Sequence, residues 1–348
     1  MIAHRTPHGR FPTSRGHVRP REHVRRWAGL LLALALLAGL TTVVGVRPAA
    51  AASESRTARR PVVVAEERVG PRQVDLIIES PALDDLGKVR LLTPDGWDQR
   101  RRGQRWPVLY LLHGCCGDYT SWTTLADVQS IPQLRNVLVV MPEAGDVGFY
   151  SNWQDGPAWE TFHLREVRSI VERSYGAGSR RVVAGLSMGG FGALTYAARH
   201  PGMFRAAASY SGVVDTRNVP GATQFVLDLV GRYVPDPLAL WGSPTEDTRV
   251  WAAHNPVDLA RRLRHLPVFL SCGDGTTGPL DPPDRTSELE TLLLAENDLL
   301  ATRLRESGAR KLVTDFYGPG THSWPYWERE LKRSLPLLMD ALGDHRAG

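Results

Sequence analysis

A serine flanked by glycines two positions to either side, Gly185-Leu186-Ser187-Met188-Gly189, stands between the β-branched pair Val182-Val183 and the small-residue stretch from Gly190 to Leu194. The pattern predicts a buried strand, a sharp turn, and a helix that opens directly after the serine. Glycines at 185 and 189 leave room for a turn tight enough to hold Ser187 in a strained conformation. A hydroxyl presented in this way is a candidate nucleophile, provided a base comes within reach.

His322 is the candidate base. It lies in Gly318-Pro319-Gly320-Thr321-His322-Ser323-Trp324, directly after the last predicted strand, Lys311 to Tyr317. An imidazole, which titrates near neutral pH, can take the proton of Ser187 and return it to a leaving group. Spacing leaves the acid open. Asp274 follows a strand end, Glu288 and Glu290 lie in or near the next helix, and all three precede His322. Serine, acid and histidine in that order, with the histidine after the last strand, is the arrangement of an α/β-hydrolase fold. The backbone amides of Met188 and Cys115 are the candidates for an oxyanion hole, the latter in the turn His113-Gly114-Cys115-Cys116-Gly117. His113 reads as structural, and no His or Asn context singles out Cys115 as a nucleophile.

The elements that must position these groups alternate along the chain. Val74 to Glu79 and Lys88 to Thr93 read as an antiparallel edge pair, followed by a polar loop from Asp95 to Arg105. Pro107 to Leu112, Val137 to Met141, Ala206 to Gly212 and Pro267 to Gly273 are continuous apolar runs of the kind buried on both sheet faces. Trp159 to Arg173 and Ser287 to Arg305 have helical spacing. Strands alternating with helices predict a mostly parallel sheet with helices on both faces. Val213 to Asn255, interrupted by prolines, shows no clear regularity and suits a substrate wall or partial lid.

The first 60 of the 348 residues differ from the rest. Seven arginines between Arg5 and Arg26 precede an apolar run from Trp27 to Val46 and the cluster Ala49 to Ala52. Residues 1–52 read as an export signal, with an uncleaved membrane anchor as the alternative, and 53–70 as a flexible linker to a catalytic domain over 71–345. The protein is therefore expected to be secreted or associated with the cell envelope. Residues 1–60 hold eleven Arg and two Glu, a surplus of nine positive charges within a total of +5, which leaves the remainder at −4. That balance argues against nucleic acid as a partner. Cys115, Cys116 and Cys272 allow at most one bridge, expected to Cys272, because neighbours rarely bond to each other. No spacing suggests a metal site, and no cofactor is expected.

From Val74 to Leu342 the chain resembles the secreted mycolyltransferases of the antigen 85 group, within the esterase D-like α/β-hydrolases. The similarity is carried by Val139-Val140-Met141-Pro142 with Phe149-Tyr150-Ser151-Asn152-Trp153, by Trp159-Glu160-Thr161-Phe162, by Gly185-Leu186-Ser187-Met188, by Leu240-Trp241-Gly242, by Cys272-Gly273-Asp274-Gly275-Thr276, and by Gly320 to Trp327. The resemblance implies that the acid is Glu290, with Asp274 in reserve and Glu288 a solvated helix residue. It also implies that Cys272 is a free thiol near the acid-bearing helix. The family pattern has Asp-Gly followed by Leu-Arg at the oxyanion turn, where the charged pair helps hold trehalose. Here His113-Gly114 is followed by Cys115-Cys116, a form more like general carboxylesterases. The resemblance thus implies an acyl-serine enzyme that takes an acyl ester donor, with a cell-envelope lipid among the candidates, and a hydroxyl acceptor: water, a sugar or glycerol. Because fold does not fix function, the alternative is a catalytically inactive surface-binding module of the same fold.

Overall fold

A computed structural model describes residues 59–343. The export signal expected over 1–52 lies outside the described residues, among which no helix is long and apolar enough to cross a membrane.

Nine strands form one sheet in the order β1-β2-β3-β5-β4-β6-β7-β8-β9. They are β1 (Val62–Arg68), β2 (Gln73–Ser80), β3 (Asp85–Leu92), β4 (Trp106–Leu112), β5 (Leu138–Pro142), β6 (Ala177–Leu186), β7 (Ala207–Tyr210), β8 (Val268–Cys272) and β9 (Leu312–Phe316). From β5 to β9 every pairing is parallel, and β1, β2 and β3 add on antiparallel. This is the α/β-hydrolase architecture that the strand and helix alternation predicts.

The antiparallel pair is present, but it is not the edge. Val62–Arg68 lies outside it as β1, so the linker expected over 53–70 is corrected: its last part is a strand. Six of its seven side chains are exposed, so no alternation marks it in the sequence. Its order comes from main-chain pairing to the otherwise open edge of β2, with Tyr175 donating to Glu66 at 2.6 Å.

Alternate residues of β4 enter separate cores, Val108, Tyr110 and Leu112 on one face and Leu109 and Leu111 on the other. The first face is covered by a helix α1 over 159–174, with a π turn at Phe162–Val167, and by α2 (Met188–Arg199), α5 (Pro256–Leu263) and α6 (Glu288–Glu306). The second is covered chiefly by α7 (Trp324–Leu342), through Leu331, Leu335 and Leu338. The stretch from Val213 to Asn255 is more regular than expected, containing α3 (Ala222–Gly231) and α4 (Thr248–His254). Both helices are short, and prolines punctuate the stretch around them, which hides their spacing.

Register decides where the chemistry gathers. Leu112 pairs with Gly185, Leu186 with Tyr210, Tyr210 with Ser271, and Cys272 with Phe316. The C-terminal ends of β4, β6, β7, β8 and β9 are therefore level, and the loops leaving them share one edge of the sheet.

Candidate active site

Ser187 sits between β6 and α2 at φ 52° and ψ −121°, a conformation that a non-glycine residue seldom adopts. Close packing over-determines it. A Cβ on Gly185 would come within 3.0 Å of the Gly189 Cα, and one on Gly189 within 2.5 Å of the His113 carbonyl oxygen, so both positions must be glycine for α2 to leave β6 this sharply. The Ser187 amide donates to Tyr210 O at 2.9 Å, fastening the turn to the end of β7. The residue is 8% exposed.

His322 follows β9 and immediately precedes α7. Its Nε2 lies 3.0 Å from Ser187 Oγ and its Nδ1 2.7 Å from Glu290 Oε2. A carboxylate only accepts, so Nδ1–H donates to Glu290 and Nε2 is left to accept from the serine hydroxyl. The Trp327 ring meets the imidazole edge to face at 4.8 Å between centroids and limits its rotation.

Glu290 is the third residue of α6, whose N-cap Ser287 accepts from the Glu290 amide. Ser-x-x-Glu at a helix start is the signature of a capping box, in which the glutamate folds back on the cap. Here the side chain turns inward instead and is fully buried. Its Oε1 accepts from Ser211 Oγ at 2.6 Å and from the Gly273 amide at 2.8 Å, with Cys272 Sγ at 3.3 Å. Burial alone would raise the pKa of Glu290. The hydrogen bond and charge interaction with His322, followed by the bonds from Ser211 and Gly273, outweigh burial and hold it below the ordinary carboxylate range.

The other acids stand apart. Asp274 Oδ1 accepts from the backbone and hydroxyl of Thr276 in a local turn, and Glu288 is exposed. His113 is buried, with Nε2 accepting from the Ala144 amide at 3.0 Å, while Tyr150 donates to the His113 carbonyl at 2.8 Å. It braces the turn, as expected. The amides of Cys115 and Met188 take part in no hydrogen bond among the described residues and remain available to an oxyanion.

The cysteine expectation is corrected. Cys115 and Cys116 are joined to each other, and Cys272 is the free, buried thiol. Neighbouring side chains diverge along a strand, but Cys116 has φ 61° within a turn, where that alternation no longer applies.

A cavity of about 350 Å³ opens over Ser187 and His322. Phe225 and Leu229 of α3 form one wall, and Leu125, Leu289 and Trp324 others. One contributor was not legible as a site residue, Ser211, whose only signal is a small polar residue at a strand end; α3 falls in the stretch expected to form a substrate wall, though its helical form gave no signal.

Residues 80–338 match the family model described as putative esterase. An esterase of Mycobacterium tuberculosis is 36% identical over 236 residues, which are 63% of this chain and 49% of that protein, so the chain spans about half the length of this relative. The diacylglycerol acyltransferase/mycolyltransferase Ag85B of Mycobacterium intracellulare is 30% identical over 259 residues, 70% of this chain and 77% of that one. Among solved structures, Mycobacterium tuberculosis MPT51 (FbpC1) superposes with a TM-score of 0.64 at 21% identity, covering 81% of this chain and 100% of that one, a likeness of fold.

Proposed function

The chain belongs to the putative-esterase family as an antigen 85-type member, and on that premise we propose that it transfers acyl groups through an ester on Ser187. One observation carries the reading: the unbroken line from Glu290 through His322 to Ser187, with steps of 2.7 and 3.0 Å. Ser187 Oγ attacks the ester carbonyl as its proton passes to His322 Nε2. The resulting oxyanion is received by the amides of Cys115 and Met188, and Glu290 balances the imidazolium. Collapse breaks the bond to the alcohol, which leaves with the proton from His322. A second hydroxyl compound, water or a sugar or glycerol hydroxyl, then attacks the acyl-serine by the same steps in reverse.

The test is turnover of a 4-nitrophenyl ester and labelling by a fluorophosphonate. Both are expected to disappear in Ser187→Ala while the circular dichroism spectrum is retained, and turnover persisting in that variant overturns the reading. The acceptor is assigned by supplying a lipid ester with and without trehalose and weighing the products. Acyl-trehalose that depends on Ser187 identifies a transferase, and free acid alone identifies an esterase.

We propose further that the enzyme acts outside the cytoplasm, a reading supported by the arginines from Arg5 to Arg26, the apolar run from Trp27 and the alanines at 49–52. Mass spectrometry of the native protein is expected to find its N-terminus near Ser53. An intact leader in the mature protein would mean an anchor instead.

A further inference from the structure

Apart from Ser187, His322 and the Ser121 hydroxyl, the side chains that wall the cavity are mostly apolar. Its walls present Leu125, Phe225, Leu229, Leu289 and the Trp324 ring, and no carboxylate lines it. Arg232, at the C-terminal end of α3, also lines it. The Arg232 guanidinium has no hydrogen-bond, ion-pair or ring partner among the described residues. By contrast, Arg217, elsewhere in the same segment, pairs with Asp258 at 2.8 Å. A cation at a helix C-terminus is favoured by the helix dipole, which accounts for a charge at this position. Arg232 is exposed, so its unpaired N–H donors face solvent, and it sets a positive charge at the rim of the cavity where an anionic ligand can reach it.

The position is held in place. Tyr233, the next residue, meets Cys116 in the turn after β4 through its hydroxyl, 2.6 Å from Sγ. The Arg232 amide donates to Leu229 O at 3.3 Å. The backbone that carries Arg232 is thereby tied to the turn that offers the Cys115 amide.

We propose that the site prefers esters bearing an anionic group, a carboxylate or phosphate, which Arg232 receives while the apolar walls hold the intervening chain. This rests on the acyl-serine reading and narrows its substrate class. The guanidinium fork suits a planar carboxylate or a phosphate, which it can hold through two parallel hydrogen bonds. The anion can belong to the acyl half or to the alcohol half of the ester, and the chemistry of recognition is the same.

Two matched pairs of esters distinguish these sources. On the acyl side, the 4-nitrophenyl half-ester of adipic acid is compared with 4-nitrophenyl hexanoate. On the alcohol side, the hexanoyl ester of 4-hydroxybenzoate is compared with that of 4-hydroxybenzamide. In at least one pair the anionic member is expected to have a kcat/KM higher by about tenfold, chiefly through KM. The preference should shrink as ionic strength rises. In Arg232→Gln the ratio within that pair should fall to about one, and Arg232→Lys should restore part of it. No preference in either pair, or a preference that survives in Arg232→Gln, overturns the proposal. Hydrolysis of the neutral hexanoate by the wild type, and its loss in Ser187→Ala, reports separately on the acyl-serine reading.

Discussion

Ser211 donates to Glu290 Oε1 at 2.6 Å, so one carboxylate oxygen is fixed by the end of β7 while the other is turned toward His322. Ser211 touches no reacting atom and acts by positioning. Its bond also favours the charged carboxylate, one of the causes of the lowered pKa of Glu290. Ser211→Ala should therefore raise that pKa, move the acid limb of the kcat/KM profile to higher pH, and lower kcat by roughly tenfold at neutral pH. Stability follows the same sign. A carboxylate with a depressed folded pKa stabilises the fold above its unfolded pKa, and that contribution is lost as pH falls through the folded value. The variant should lose it at a less acidic pH than the wild type. An unchanged acid limb would show that Ser211 only packs.

Gly189 fixes the distance between the nucleophile helix and the turn after β4. A Cβ there meets the carbonyl oxygens of Leu112 and His113, which are backbone atoms and cannot swing away. Gly189→Ala is expected to cost about 2–3 kcal/mol in thermal unfolding. Because the displaced backbone leads into the Cys115 amide, kcat should drop by roughly 100-fold. Full activity with lowered stability would separate the oxyanion turn from this packing.

Glu296, on the same helix as Glu290, is buried and plays a different part. Its Oε2 accepts from the amides of Val214 and Asp215 at 3.0 and 3.2 Å, holding the chain that leaves β7, while Oε1 has no partner among the described residues. Burial pushes its pKa well above the usual carboxylate value, more than those two amides lower it. A raised folded pKa means stability that is present below the unfolded pKa and declines as pH rises through the folded one. Glu296→Gln keeps an acceptor without the ionisation, so its Tm should gain on that of the wild type as pH is raised. Glu296→Ala orphans both amides and opens a cavity, and should cost about 3 kcal/mol at acidic pH, where the wild-type carboxyl is neutral, and less as pH rises. Parallel pH profiles for wild type and Glu296→Gln would refute the assignment.

The cysteine pair lies beside the site, but in acyl transfer itself only its backbone is assigned a role. The double variant Cys115→Ser with Cys116→Ser keeps the amide of residue 115, so kcat should stay within about threefold of the wild type. Abolished turnover, with Ser187 still present, would show that the bridge itself shapes the turn that offers the Cys115 amide.

The local readings concern positions that depend on near neighbours in the chain. Gly185 and Gly189 announce Ser187 because a sharp strand-to-helix turn has a steric requirement that only glycine meets, and the apolar runs of β4 to β8 announce a parallel sheet because both faces are covered. His322 is legible for the same reason, lying in the loop after the final strand. Other features depend on what lies across the fold. Spacing left Asp274, Glu288 and Glu290 open, and the choice of Glu290 came only through family resemblance. Its approach to His322 depends on the level ends of β7, β8 and β9 and on an inward turn of a side chain that local sequence assigns to helix capping. The Cys115–Cys116 bridge depends on a positive φ, and β1 on an open sheet edge rather than on burial. Ser211 and Arg232 gain their places through register and through the fall of α3 over the cavity. The sequence by itself determined the candidate nucleophile, the candidate base and the sheet that carries them. Tertiary structure decided which acid, which positioning groups and which charge meet at the edge, because contacts between residues far apart in the chain leave no periodic trace along it.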